Sequence, residues 1–196
     1  MVKYDYNDKL TERVINMNAK ELLTTRRSVR RFKDELVSRD TLNEILDIAK
    51  YAPSWKNFQI ARFNIIEDKA IITKIAETGV NDFVYNTNTL TKANQICVIS
   101  YKKGLSGHYE DGLLATSKTD WEVFDAGIMT LQFCLAAKTV GVQTVIMGIF
   151  DENVTHELID LPKDEAVGAI IVFGYPKFEN PDAPKRKELS ELSRFK

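Results

Sequence analysis

The sequence is poor in the residues that build metal centres and histidine-dependent active sites. Its 196 residues include two histidines and two cysteines. His108 and His156 are far apart, and Cys97 and Cys134 each lie in an apolar run without a CxxC pair. We therefore predict no metal site and no histidine-based triad, and we expect both thiols to be free and buried.

The signatures of the common nucleotide and hydrolase sites are missing as well. The chain contains no GxGxxG, no GxxxxGK[ST] and no GxSxG, which argues against a Rossmann dinucleotide site, a P-loop and a nucleophile elbow. If the protein is an enzyme, a bound cofactor is expected to carry the difficult chemistry, while the chain supplies position and electrostatics. No side chain is predicted to be catalytic.

Long hydrophobic runs and a large net charge are also absent. The longest uncharged runs, 126–137 and 139–150, are too short to cross a bilayer, and the first ten residues lack the apolar core of a signal peptide. The formal net charge is −1, whereas proteins that bind nucleic acid usually carry a large positive excess. These features predict a cytoplasmic protein with neither a membrane nor a nucleic acid as partner.

What is present is the composition of one well-packed domain, predicted over residues 1–196. Hydrophobic residues make up 44% of the chain and charged residues 28%, which is enough for one core. Apolar spacing and capping residues predict helices over about 19–25, 38–52, 68–79, 121–139 and 151–159. Strands are predicted within 61–68, 94–101, 142–150 and 166–176. The sum is an α+β fold.

Three segments of this plan stand out. The helix at 121–139 is apolar on nearly every side, so we expect it at the centre of a core. Segment 104–118 has three glycines and no clear period, which predicts a mobile excursion. The polar tail from Lys177 onward leaves the core. A tail that packs on nothing would be disordered, whereas one that wraps a partner subunit, using Leu189 and Leu192, would be ordered.

The stretch "RRSVRRF" (26–32) places four arginines within six residues. If it is extended, Arg26, Ser28 and Arg30 face one side, and Arg27 and Arg31 face the other. Planar guanidinium groups bind phosphate oxygens in pairs, so this set suits the phosphate of a small ligand. A solvated turn, or a contact with an acidic protein, would explain the same arginines.

A second polar stretch, "YAPSWKNFQIARF" (51–63), lies between a predicted helix and a predicted strand. Alone, Pro53 followed by Ser54 and Asn57 is ordinary turn chemistry. The two stretches lie some twenty residues apart and are separated by one amphipathic helix. As a pair they are much more specific than either is alone.

Together the two stretches resemble the signature of the FMN-dependent nitroreductase family, Arg-Arg-Ser-[Val/Ile]-Arg-x-Phe followed by Ala-Pro-Ser-x-x-Asn-x-Gln. "DAGIMTLQFCLAAKTVGVQTVIMGIF" is similar to the family's central dimer helix and glycine-bearing strand, and "FGYP" with a downstream "KRK" is similar to its closing segment. The resemblance covers nearly the whole chain. It implies a nitroreductase-like fold, with a central mixed or antiparallel sheet flanked by helices, in an intertwined homodimer that exchanges C-terminal tails.

Carried over by position, the resemblance implies FMN contacts from both subunits. The phosphate, ribityl chain and ring edge would be held by Arg26, Arg27, Ser28 and Arg30, with Lys185 and Arg186 returning to the phosphate. Reaching the flavin from the other subunit would be Pro53, Ser54, Trp55 and Asn57. Asn86 would lie near the polar edge of the ring, and Met147 and Gly148 near its hydride-accepting nitrogen.

Several positions depart from the family pattern. Met147 stands where many members have a glutamate, and Thr89 stands where a lysine often follows the asparagine at helical distance. Trp55 and Lys56 occupy positions that are more often small. The positive charge that stabilises the reduced ring would then come from Arg30 or the other arginines.

The resemblance implies an enzyme in which NAD(P)H reduces FMN, and nitroaromatics, quinones or similar planar acceptors oxidise it, in a ping-pong cycle. Segment 102–120 is expected to form one wall of the acceptor slot. Two alternatives remain open: a specialised flavin enzyme of the same superfamily, for dehalogenation or flavin fragmentation, and a non-catalytic FMN carrier or redox sensor. The acceptor, and the choice of NADH or NADPH, also remain open.

Overall fold

The computed structural model describes residues 18–179 and 182–196, and within them it contains seven α-helices and four strands. The helices are α1 Ala19–Thr25, α2 Arg39–Ala49, α3 Lys69–Thr78, α4 Val84–Leu90, α5 Trp121–Thr139, α6 Glu152–Leu158 and α7 Leu189–Leu192. The strands are β1 Ala61–Ile66, β2 Ile96–Lys102, β3 Gln143–Met147 and β4 Glu165–Gly174, and a 3₁₀ turn covers Trp55–Asn57. The predicted domain of 1–196 includes 1–17 and 180–181, which lie outside the described residues.

The four strands form one sheet in the order β1-β2-β4-β3, and every neighbouring pair is antiparallel. The register between β2 and β4 shifts between Ile99 and Ser100, where Gly168 of β4 is the extra, unpaired residue. The α+β prediction is confirmed. Of the two kinds of sheet that the resemblance allowed, the structure has the antiparallel one.

Alternation along the strands divides the core between the two faces of the sheet. Cys97 and Ile99 of β2 face the cluster that contains α2 and α5, whereas Ile96 and Val98 face the cluster that contains α3 and α4. Both faces are thus covered, and this explains why β2 reads as a continuous apolar run. The prediction of free, buried cysteines is confirmed for Cys97 and Cys134.

Four of the predicted helices begin at polar residues that cap their first turn. Asn18, Ser38, Asp68 and Asp151 each accept a hydrogen bond from a backbone N–H of the first turn. Such a bond satisfies a donor that has no partner within the helix. The described helices do not combine the length and the apolar composition needed to cross a bilayer.

Helix α5 lies at the centre of the molecule, as its composition predicts, but one face of it is uncovered. Phe133, Cys134, Ala136 and Ala137 are buried. On the other side Val123, Phe124 and Leu131 are each about half exposed, and a Cβ added to Gly127 would meet no atom within 4 Å. We call Val123, Phe124, Gly127 and Leu131 the exposed α5 stripe.

Candidate functional site

The arginine-rich stretch lies beside the edge strand β3. The Val29 N–H donates to the Thr144 carbonyl at 3.0 Å, and Ser28 pairs with Thr144 in parallel. Further along, Phe32 pairs with Pro176. Val29 is buried while Ser28 and Arg30 are exposed, so the buried valine aims the polar groups outward. The bridges at Ser28 and Phe32 meet the condition of an extended stretch on which the predicted alternation depended.

The outward face of this stretch lines a cavity of about 380 Å³, which we call the arginine cavity. It is lined by Arg26, Arg27, Ser28, Arg30, Asp182, Pro184 and Arg186. Four guanidinium groups and one carboxylate therefore meet here. Among the described residues none of these arginines forms an ion pair. This donor set fits a phosphate, because guanidinium forks bind its oxygens in pairs.

The prediction that Arg27 faces away from Arg26 and Arg30 is wrong. Arg27 lies two residues beyond the end of α1, and its Nη1 donates to the carbonyls of Thr24 at 2.9 Å and Arg26 at 2.8 Å. These bonds turn its side chain to the cavity wall. Arg31 lies outside the cavity, and its guanidinium carbon is 5.9 Å from the centroid of the Phe178 ring.

The tail supplies Arg186 to the arginine cavity but directs Lys185 elsewhere. Lys185 lines a second depression, of about 260 Å³, together with Arg186, Lys187, Glu188 and Glu191. Sequence reasoning missed Asp182 and Pro184, which have no counterpart in the motifs. The paired basic residues of the tail therefore have different surroundings.

The far end of β3 provides an open surface. Gly148 is four residues beyond Thr144, roughly 13 Å at the rise of an extended chain, and a Cβ added to it would meet no atom within 4 Å. The Met147 side chain is buried in the core with α3 and α4, so only its backbone is available at this surface. A ligand that spans from the arginine cavity to Gly148 must be elongated.

Helix α4 borders this open end. The side chain of Asn86 is largely buried, and its Nδ2 donates to the Ile149 carbonyl at 2.9 Å. This bond holds the loop after β3 against α4. Thr89, which stands where a lysine was expected, is buried and donates its hydroxyl to the Tyr85 carbonyl at 2.8 Å. It therefore supplies no positive charge to the open end.

The second predicted set lies on residues 53–59, which we call the tryptophan turn. The Ser54 hydroxyl accepts from the Gln59 N–H at 2.8 Å and closes the turn. Lys56, Asn57 and Gln59 have φ values of 47°, 58° and 50°. Left-handed backbone is unusual for residues other than glycine and costs energy, so surrounding contacts must hold this turn in place.

Those contacts come from the first turns of α5. The Trp55 N–H donates to Asp125 Oδ2 at 3.0 Å, and the Trp55 ring lies 4.9 Å from that of Trp121. Both indole N–H groups are buried and have no partner among the described residues. Asp125 is 3% exposed. Sequence reasoning missed it, although it is the only charged residue between Glu122 and Lys138.

Segment 104–118 is anchored to the same place. The Ser106 hydroxyl donates to Asp125 Oδ2 at 2.6 Å, so one buried carboxylate oxygen holds both the tryptophan turn and this segment. Gly107 has a φ of 83°, and a Cβ there would lie 2.9 Å from the Trp121 ring. A glycine is thus required for the segment to pack on Trp121. The predicted mobility of the segment stays a prediction.

The arginine cavity and the tryptophan turn lie near opposite ends of α5. At the C-terminal end, Lys138 Nζ donates to the Thr25 carbonyl at 3.1 Å, one residue before Arg26. At the N-terminal end, Asp125 binds Trp55. Asp125 and Lys138 are thirteen positions apart, which corresponds to about 20 Å of helix. The described chain therefore does not bring the two predicted sets of residues together.

The cysteines near the arginine cavity are not suited to nucleophilic chemistry. Burial raises the pKa of Cys134, although a hydrogen bond with Thr144 and the charge of Arg26 oppose the shift. Burial, with the neighbouring Cys134, also raises the pKa of Cys97. Neutral thiols are poor nucleophiles. The described residues also include no cluster of three or more His, Cys, Asp or Glu side chains that would hold a metal ion.

Comparison with known proteins gives a consistent result. The model of the family described as "Nitroreductase family" matches residues 23–175. A relative from Archaeoglobus fulgidus, named "Putative NADH dehydrogenase/NAD(P)H nitroreductase", is 27% identical over 163 residues, which cover 81% of this chain and 86% of the relative.

Solved structures agree with the sequence comparison. A nitroreductase family protein from Clostridium novyi NT superposes with a TM-score of 0.71 at 26% identity, over 82% of this chain and 86% of its own. An FMN-dependent nitroreductase from Clostridium difficile R20291 has a TM-score of 0.71 at 23% identity, over 89% of this chain and 96% of its own. At that identity the second likeness shows the fold alone.

Proposed function

The chain belongs to the nitroreductase family, and on this premise we propose that it is an NAD(P)H-dependent oxidoreductase that binds FMN and reduces planar acceptors such as nitroaromatics and quinones. The observation that carries the proposal is the arginine cavity, joined by β3 to an open surface at Gly148. A cationic end and an open end, roughly 13 Å apart, suit an elongated cofactor with a phosphate on one end and a ring on the other.

The chemical types of these residues, and their order from the arginine cavity to Gly148, fit FMN. Arg26, Arg27, Arg30 and Arg186 would hold the phosphate, because their four positive charges outnumber the single carboxylate of Asp182. Gly148 would admit the ring, since no side chain stands over it. When bound, FMN would supply a ring that accepts a hydride from NAD(P)H and passes electrons to the acceptor.

The protein's own part in this chemistry is to bind, orient and exclude water. Fixed guanidinium groups favour an anionic form of a bound ring or phosphate without ever deprotonating. Asn86 steadies the loop after β3 through the Ile149 carbonyl. No side chain is assigned as a proton donor or acceptor. The residues assigned to the cofactor, among them Lys185 of the tail, therefore act by position and charge.

We further propose that each chain forms one domain over residues 1–196. The active form is an intertwined homodimer whose subunits exchange their C-terminal tails. The exposed α5 stripe supports this, because exposed apolar groups at helical spacing are typical of an interface. The distance between the arginine cavity and the tryptophan turn supports it too. Pro53, Ser54, Trp55 and Asn57 would then complete the cofactor site of the other subunit.

The slot above the ring is expected to accept several planar acceptors. Segment 102–120 would form one wall, and its residues Gly104 and Gly112, with φ values of 78° and 81°, meet no neighbour where a Cβ would stand. A wall with few fixed polar contacts selects acceptors by their shape and redox potential rather than by hydrogen bonds. Ping-pong kinetics with no single preferred acceptor is the expected behaviour.

The direct test is the visible spectrum of the purified protein, with and without NADH and NADPH, followed by steady-state kinetics on a panel of quinones and nitroaromatics. We expect a flavin spectrum that NAD(P)H bleaches and that several acceptors restore. A colourless protein that does not bind added FMN would refute the proposal. A flavin that neither nicotinamide bleaches would favour a carrier or sensor, and reaction with a single non-planar compound would favour a specialised flavin enzyme.

A further inference from the structure

Lys56 is the only cationic residue of the tryptophan turn, and the turn sets its direction. The backbone is left-handed at Lys56 and again at Asn57. The turn is fixed on both sides of them, by the bond from the Trp55 N–H to Asp125 and by the bond from the Gln59 N–H to Ser54. A lysine on such a turn starts from a fixed point, so the reach of its ammonium is limited to one region.

That region is the wall formed by segment 102–120. Lys56 Nζ lies 5.9 Å from the centroid of the Tyr109 ring, within the range of a cation–π contact. Tyr109 is more than half exposed. The ammonium therefore stands beside an exposed aromatic face, at the edge of the surface that the tryptophan turn presents.

No acidic neighbour neutralises this charge. Within the described residues no carboxylate lies within 4.0 Å of Lys56 Nζ, and this holds also for Glu110, the neighbour of Tyr109 in sequence. The other nearby carboxylates have partners of their own: Asp125 accepts from Trp55 and Ser106, Glu122 from the Leu105 N–H, Asp111 from the Leu113 N–H, and Asp120 lies 3.8 Å from Lys118. The charge of Lys56 remains available to a ligand.

We propose that Lys56 makes the acceptor slot selective for planar aromatic acceptors that carry a carboxylate or another anionic oxygen group. The inference rests on the proposed function, and it deepens that function by naming the substrate class. The aromatic ring of the acceptor stacks, while its anionic group pairs with the ammonium at the rim. Lys56 acts here as a specificity-determining residue and takes no part in electron transfer.

The anionic group belongs to the acceptor rather than to the 2′-phosphate of NADPH. Lys56 is bonded directly to Trp55 and Asn57, two of the four positions in this turn that the resemblance puts on the flavin. Its ammonium is therefore expected close to the stacked ring. A carboxylate attached to that ring lies within reach, whereas the 2′-phosphate is separated from the nicotinamide ring by two riboses and a pyrophosphate.

The test measures binding without turnover. Dissociation constants of benzoate and benzamide, which are of equal shape and differ in charge, are determined on the FMN-loaded protein by titration calorimetry. We expect the wild type to prefer benzoate and Lys56→Met to lower that preference roughly fivefold, the effect of one charge pair at a water-accessible rim. Lys56→Arg should retain the preference, Lys56→Glu should reverse it, and Lys103→Met is the control on the same wall.

The same variants are then assayed for reduction of para-nitrobenzoate against para-nitrobenzamide, with NADH and with NADPH. The ratio of kcat/KM for the two acceptors should follow the ratio of dissociation constants. A benzoate preference that is unchanged in Lys56→Met, or a change confined to the NADPH to NADH ratio, overturns the inference. Failure to reduce either nitro compound counts against the proposed function, and the binding ratios still decide the role of Lys56.

Discussion

The arginine cavity and the tryptophan turn are held in place by different forces. The arginine stretch follows β3 through backbone hydrogen bonds, and its buried Val29 fixes the direction of its polar groups. The tryptophan turn has strained backbone and depends on one buried carboxylate, Asp125, and on ring packing against Trp121. The first region is organised by the sheet, and the second is organised by side chains. The second is therefore the easier one to disrupt by mutation.

The largest contrast is expected from mixing two defective chains. Arg26→Ala/Arg30→Ala removes the proposed phosphate contacts, and Asn57→Glu puts a carboxylate on the tryptophan turn. Each variant alone should be nearly inactive. If the two regions meet only across a dimer, chains mixed at random should recover up to about a quarter of wild-type activity, because half of the dimers would contain one intact site. A mixture no more active than either variant alone would mean that the arginine cavity and the tryptophan turn of the same chain form one active site.

The next largest effect concerns FMN affinity. Arg26→Ala/Arg30→Ala should weaken FMN binding by about 3 to 6 kcal/mol, because each hydrogen bond to a charged phosphate contributes roughly 1.5 to 3 kcal/mol. Arg31→Ala is the matched control, since Arg31 belongs to the same stretch but lies against Phe178 outside the cavity. Fluorescence titration of the FMN-free protein measures both. Equal losses in the two variants would remove the phosphate assignment.

A smaller effect, on the stability of the tryptophan turn, is expected from replacing Asp125. Asp125→Ala leaves the Trp55 N–H and the Ser106 hydroxyl without their acceptor, and should lower the free energy of unfolding by about 2 to 4 kcal/mol. Asp125→Asn keeps one carbonyl oxygen and should lose less. Urea denaturation of the FMN-free protein gives the values. Loss of less than about 0.5 kcal/mol in Asp125→Ala would show that ring packing alone holds the turn.

The smallest effect is a pH dependence beneath the arginine cavity. The folded-state pKa values of Cys97 and Cys134 are raised, chiefly by burial, whereas unfolded cysteine ionises near 8.5. Above that pH the unfolded chain releases protons that the folded chain retains, so stability falls as the pH rises, by up to about 1.4 kcal/mol per thiol and pH unit. Cys134→Ala should reduce the slope between about pH 9 and 10. An unchanged slope would contradict the assignment.

Sequence reasoning was most successful where local chemistry decides the structure. The helix starts near Asn18, Ser38, Asp68 and Asp151 depend on residues within one turn, and all four lie within one residue of the predicted positions. It gave no prediction for α4, whose sequence VYNTNTL contains residues of modest helix propensity. Tertiary contacts such as that of Asn86 with Ile149 support this helix, and they are not visible in local periodicity.

The residues of the candidate site were likewise predicted where local sequence decides their position and missed where the path of the chain decides it. The motifs identified Ser28 and Arg30, because an extended stretch beside a buried valine has a definite outward face. Strand alternation misplaced Arg27, since the end of α1 interrupts the alternation there, whereas the resemblance had grouped Arg27 with Arg26 and Arg30. Asp125 was missed, although a lone acid on an apolar helix is a usable signal. Asp182 and Pro184 could not have been found, because their position depends on the path of the tail.

The left-handed backbone of the tryptophan turn has an evolutionary consequence. Lys56, Asn57 and Gln59 are exposed and do not belong to either core cluster, so replacing their side chains changes little of the packing. Glycine at Lys56 or Gln59 would relieve strain, and most exchanges there would be nearly neutral for folding. Of these three positions only Lys56 is unspecified in the family signature, so a lineage can vary Lys56 while Asn57, Gln59 and the arginines stay constant. Substrate preference is then able to drift between related species faster than cofactor choice.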